Sequence, residues 1–238
     1  MAISQKASAK WLKWCVAVVL LAPLCAVWTL VAWRVGRIVV TGGEVIRNPL
    51  LLSFVGGTIF SWACFAAGVK PVRVYVLGHE LTHALWAWLF CGRVTSFKVG
   101  SEGGCIKTDR VNFWISLAPY FFPLYSVLAI WLWWLLGFWI HVGDYLWILL
   151  AVLGLTWGFH ISFTLMMLGR VQPDISREGW VFSLSLIYLL NLIPLVLGLV
   201  FVSPELQAHD LRRALAWALD WLLFAAWRAA QMTWELTR

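Results

Sequence analysis

Val76-Leu77-Gly78-His79-Glu80-Leu81-Thr82-His83-Ala84-Leu85-Trp86 sets two imidazoles and a carboxylate in the middle of an apolar stretch. On an α-helix, residues four apart share a face and stand about 6 Å apart. His79 and His83 are therefore spaced as two ligands of one tetrahedral zinc ion. Glu80 follows in the same turn, where its carboxylate can take the proton of a water that the metal activates. The three residues form an H-E-x-x-H pattern within Val74 to Phe90, a helix-length apolar run. Ionisable groups in such a run cost several kcal/mol to desolvate unless a metal or partners offset the loss, which makes them candidates for function. The competing reading is a pair of core histidines satisfied by neighbouring helices, with Glu80 paired to one of them.

Composition sets the surroundings. Apolar residues make up 62% of the chain and charged residues 12%, and mean hydropathy is +0.84, values that no soluble domain of this length needs. The expected fold is an all-α polytopic membrane protein of about five to six transmembrane helices, with one small β-hairpin. The net charge of +7 is carried by loops and termini, which fits topology and contact with anionic lipid rather than nucleic acid. The five cysteines are odd in number and scattered, so they form neither a C-x-x-C metal site nor a disulfide framework. Several of the nineteen tryptophans, among them Trp14, Trp33 and Trp147, fall near segment ends as interfacial belts do.

In chain order, residues 1–73 carry N-terminal spans at 14–33 and 50–68, joined by a loop from Arg34 to Pro49. The first is read as an uncleaved helix, since no small-residue cleavage site precedes Arg34. Residues 74–202 form the core. Within it, 93–110 alternates and is rich in β-branched residues around Ser101-Glu102-Gly103-Gly104, a hairpin signature. The apolar run 111–140 is interrupted by Pro119 and Pro123, hence kinked or broken. Spans at 145–168 and 180–201 follow, separated by a polar break that contains Gln172-Pro173-Asp174. The competing reading of Asp174 is an N-cap of the helix after it. Residues 203–238 form an amphipathic C-terminal helix, interfacial rather than spanning.

Helix, hairpin, kinked helix and broken helix in this order resemble the site-2 protease family of intramembrane zinc metalloproteases, over roughly Val74 to Leu190. The specific element is Gly78-His79-Glu80-Leu81-Thr82-His83-Ala84. The resemblance implies a zinc ion held by His79, His83 and an Asp in a break after the third core helix, which is Asp174 here. The family's N-x-x-P and L-D-G signature is absent from this chain. His160, the one other ionisable side chain deep in its span, stays open as an alternative third ligand. The two stand fourteen residues apart, about 21 Å along a straight helix, so both cannot bind one ion unless the break folds back.

The resulting expectation is a zinc metalloendopeptidase with Glu80 as the general base. Its substrate is a membrane protein whose transmembrane helix unwinds into an extended strand, captured at the edge of the hairpin. The alternative is a non-hydrolytic membrane binding or assembly module that retains the fold. A proton or metal-ion relay would need a paired site in an inverted repeat, and no repeat is present. The lipid bilayer is the expected surrounding, nucleic acid is no partner, and a compact chain without organelle signals is expected in a bacterial inner membrane.

Overall fold

The structure, a computed structural model, describes residues 10–100, 103–170 and 172–236. Its elements are α1 (Lys10–Thr41), α2 (Pro49–Ala66), α3 (Val72–Leu89), β1 (Val94–Val99), β2 (Gly104–Thr108), α4 (Phe113–Phe121), α5 (Leu124–Leu136), α6 (Leu146–Leu168), α7 (Pro173–Glu178), α8 (Trp180–Val202) and α9 (Ala208–Leu236). Four helices, α1, α2, α8 and the one that includes α6, are long and apolar enough to cross a membrane, and the bent pair α4 and α5 makes a fifth candidate. α3 is not among them, because Arg73, His79, Glu80 and His83 lower its hydropathy. The expected count of five to six therefore becomes four or five.

By its contacts the chain divides into two compact units. One holds Met1–Glu44 with Leu184–Arg238, the other Val45–Ser183. In the first, α1 does not stop at Trp33. The expected loop from Arg34 is helix as far as Thr41, since Val27, Val31, Val35 and Val39 continue one buried stripe and no proline interrupts it. Gly42-Gly43 ends the helix, with Gly43 at φ +70°. α1 packs on α9, whose Ala214 and Ala218 are fully buried. It also meets α8, where Thr29 Oγ1 lies 2.7 Å from Tyr188 Oη. The buried Glu44 carboxylate accepts the Ser203 hydroxyl and the Glu205 backbone N–H.

The second unit is built on the pair α2 and α6. A Cβ at Gly154 would overlap the Phe54 backbone, one at Gly57 the Ala151 carbonyl, and one at Gly158 would stand 2.9 Å from Ser61 Cβ. Small residues that let backbones approach are how helices associate in an apolar solvent, where the hydrophobic effect offers little. Thr58 adds a hydrogen bond across the contact, from Oγ1 to the Gly154 carbonyl at 3.2 Å. Gly154→Leu is expected to cost about 3 kcal/mol or more by overpacking, measured as a lower midpoint of thermal unfolding in detergent. Gly198→Leu, with open space around its Cβ, should leave that midpoint unchanged.

The expected break in 111–140 is a bend of 74° between α4 and α5 at Phe122-Pro123. Pro123 supplies no backbone N–H and disfavours helical backbone at Phe122, which is extended (φ -98°, ψ 104°). At its other end α4 is capped by Asn112, whose Oδ1 accepts the Ile115 N–H at 2.9 Å.

β1 and β2 pair antiparallel, with Phe97 opposite Ile106 and Val99 opposite Gly104, and one irregularity between Val94 and Ser96. Ser101 and Glu102 of the expected turn lie outside the described residues. Asp109 closes the base of the hairpin by accepting the Arg93 N–H at 2.7 Å. Both strands pack on α3.

Candidate metal centre

α3 buries one face, formed by Tyr75, Val76, Gly78, Glu80, Thr82, His83, Ala84 and Ala87, and leaves Val74, Leu77, Leu85, Trp88 and Leu89 exposed. His79 belongs to the buried side, its side chain only 12% exposed. Both imidazoles therefore point inward, as their four-residue spacing requires. Gly78 lets the Tyr125 ring lie against the helix. A Cβ there would stand 2.8 Å from that ring, whose hydroxyl donates to the Val74 carbonyl at 2.5 Å.

Asp174 arrives from α7. The residue before a proline avoids helical backbone, and Gln172 is extended (φ -107°, ψ 123°). Pro173 then opens a new helix at its first position. Asp174 is thus not the N-cap of the competing reading. That position is held by Gln172, which makes no side-chain cap bond. α7 packs on α4 and is anchored by Ile175, which is fully buried. It ends at Gly179, whose φ of +98° suits glycine alone.

Asp174 Oδ2 lies 3.5 Å from His83 Nε2 and 3.9 Å from His79 Nε2. One donor atom from each of the three side chains falls within 4.8 Å of the others. The outer ring nitrogens are occupied elsewhere. His83 Nδ1 donates to the Ile115 carbonyl at 2.7 Å, and His79 Nδ1 lies 3.1 Å from Tyr75 Oη. With Nδ1 protonated, His83 presents its Nε2 lone pair inward, the tautomer a metal ligand needs. When no metal takes the Nε2 lone pairs and the imidazoles are protonated there, burial pushes the Asp174 carboxyl up, but hydrogen bonds from His79 and His83 and their charge outweigh it and hold the group well below the usual carboxylate range. Two imidazole nitrogens and an ionised carboxylate are a donor set that suits zinc.

Aromatic side chains support this cluster. Tyr75 stacks on Phe163 of α6, centroids 4.5 Å apart. Tyr120 of α4 meets the His79 ring edge-on at 5.3 Å, and its hydroxyl lies 3.5 Å from Asp174 Oδ2. Outer partners of this kind tune metal affinity by about 10- to 100-fold. Tyr75→Phe should accordingly weaken zinc binding by about tenfold, measured by competition with a chelator, with no change in stoichiometry at saturating zinc. Tyr75 is legible as the residue four before His79 on the same face. Tyr120 and the Ile115 carbonyl come from α4 and carry no local signal.

His160 does not join the three. It lines a small cavity of about 20 Å³ with Tyr75, Gly78, His79, Pro119 and Tyr125. That volume has room for a single water.

Glu80 is buried and turned toward β2. A Cβ on Gly104 would stand 2.9 Å from Glu80 Oε1, and the carboxylate accepts the Ile106 backbone N–H. Glycine at 104 is what lets the strand lie this close, a juxtaposition with no signature in the sequence of either segment. The chain matches no protein-family model, no curated protein and no solved structure, so the geometry of this cluster carries the functional argument by itself.

Proposed function

We propose that the protein is an intramembrane zinc metalloprotease that hydrolyses peptide bonds of membrane-embedded or membrane-adjacent protein substrates. The observation that carries this reading is the convergence of His79 Nε2, His83 Nε2 and the Asp174 carboxylate beside the buried Glu80. His79, His83 and Asp174 would hold the metal, which when bound would supply a Lewis acid for the scissile carbonyl and the attacking water. Ile115 and Tyr75 fix the ring orientations of His83 and His79, and Tyr120 holds the Asp174 carboxylate. Glu80 takes the proton of the attacking water at its carboxylate and delivers it to the leaving amide nitrogen.

A substrate helix has no free backbone groups, so it unwinds before cleavage. The hairpin supports capture of the unwound strand, because β2 lies directly against Glu80. A peptide added along this hairpin has its backbone fixed beside the general base. The four or five helices long and apolar enough to cross a membrane support a membrane location for the site, and we assign that membrane to a bacterial cell envelope. The test is cleavage of a co-expressed membrane protein by wild type and by Glu80→Gln, with loss of cleavage in the variant as the expected result.

One observation favours a second reading, a non-hydrolytic binding module: the Glu80 carboxylate is engaged by Ile106 and covered by Gly104. That reading has Glu80→Gln without phenotype while disruption of the hairpin abolishes it.

A further inference from the structure

Beyond Trp33, near the C-terminal end of α1, Arg34 and Arg37 stand one turn apart on one face. With Trp33, Ile38, Thr41 and Trp217 of α9 they line an open cavity of about 400 Å³. The Arg34 guanidinium lies over the Trp217 ring, its Cζ 5.3 Å from the centroid. Stacking uses the face of a guanidinium and leaves the N–H edge available for an oxyanion. Among the described residues no carboxylate pairs with either arginine. Glu44, Glu205 and Asp210 do not line the cavity. The Glu44 carboxylate is taken by Ser203 and the Glu205 N–H, and that of Glu205 lies against Gly42. On α9, Arg213 precedes Trp217 by one turn and Asp220 follows it by one; these two charges cancel, so the net positive charge at the opening is that of Arg34 and Arg37.

We propose that this cavity binds a phosphate oxyanion, and that its source is the headgroup of an anionic glycerophospholipid. Two guanidiniums one turn apart form a fork for phosphate oxygens. The flanking Trp33 and Trp217 mark the depth of the interface, where indoles settle. The volume exceeds by far the roughly 30 Å³ of one water and takes a glycerophosphate headgroup as well as its phosphate. The wall opposite α1 belongs to α9, an amphipathic helix whose composition suits the headgroup layer. The site is independent of the metal centre, and its occupancy does not depend on hydrolysis.

The experiment is native mass spectrometry of the full chain in detergent, titrated separately with dioleoylphosphatidylglycerol, dioleoylphosphatidylcholine and inorganic phosphate. Wild type should retain one phosphatidylglycerol per chain in preference to phosphatidylcholine. Arg34→Gln combined with Arg37→Gln should weaken that retention by about twenty-five-fold, at about fivefold per cation. Arg37 is exposed, so Arg37→Gln alone is safe for folding and should give the single fivefold step. Equal retention by wild type and Arg37→Gln, or equal retention of the two lipids, would overturn the proposal. Binding of inorganic phosphate without retention of lipid would assign the site to the free ion and overturn the lipid source.

Discussion

Glu80→Gln is expected to lower cleavage of a membrane protein substrate by about 10³-fold, the middle of the range for loss of a general base, with zinc content unchanged. Glutamine has the same shape, and its Oε1 can still accept the Ile106 N–H that the carboxylate accepts now. It cannot take a proton from the attacking water. Because Glu80 is 7% exposed, solvent offers no substitute base at the same place. Unchanged zinc and an unchanged unfolding midpoint would separate this loss from misfolding. Cleavage at the wild-type rate would remove Glu80 from the mechanism and favour the non-hydrolytic module.

Asp174→Asn should lower zinc affinity by about 10²-fold or more, since loss of an outer partner alone costs 10- to 100-fold. Asparagine keeps the volume and the contact with Tyr120, but it is a neutral and weaker donor. The pH dependence distinguishes the ligands. The Asp174 carboxyl titrates below its ordinary range when folded. Its contribution to stability is therefore complete above the unfolded value, about pH 4, and is lost only as pH falls through the depressed folded value. Protons compete with zinc well above that window at His83, whose imidazole, though lowered by burial, is held above its ordinary value by Asp174. Chelator competition as a function of pH should thus show an acid loss of affinity of similar steepness in wild type and Asp174→Asn, displaced to weaker binding throughout. Disappearance of the acid limb in the variant would contradict the ligand assignment.

The part of this architecture that lies along one helix or in one dipeptide is legible in the sequence. Four-residue spacing puts His79 and His83 on one face, Pro123 breaks 111–140, and β-branched alternation gives the hairpin, whereas Asp174 lies not at an N-cap but in the first turn of the short helix α7 inside the expected break. What depends on contacts between distant segments is not. Nothing local says that Gly104 will meet Glu80, or that α4 will offer the Ile115 carbonyl to His83 and the Tyr120 hydroxyl to Asp174. The loop expected at Arg34 failed for a related reason. Charged residues there suggest an end to the span, but a helix can continue past the apolar layer while its valine stripe still has a neighbour to pack on.

Zinc per chain, by elemental analysis of protein purified in detergent without chelators and with zinc supplied, tests the central claim most directly. Wild type should carry close to one zinc, His83→Ala and Asp174→Ala should lose it, and His160→Ala should keep it. Wild-type protein without zinc, or zinc that is lost in His160→Ala and kept in Asp174→Ala, would contradict the site built from His79, His83 and Asp174.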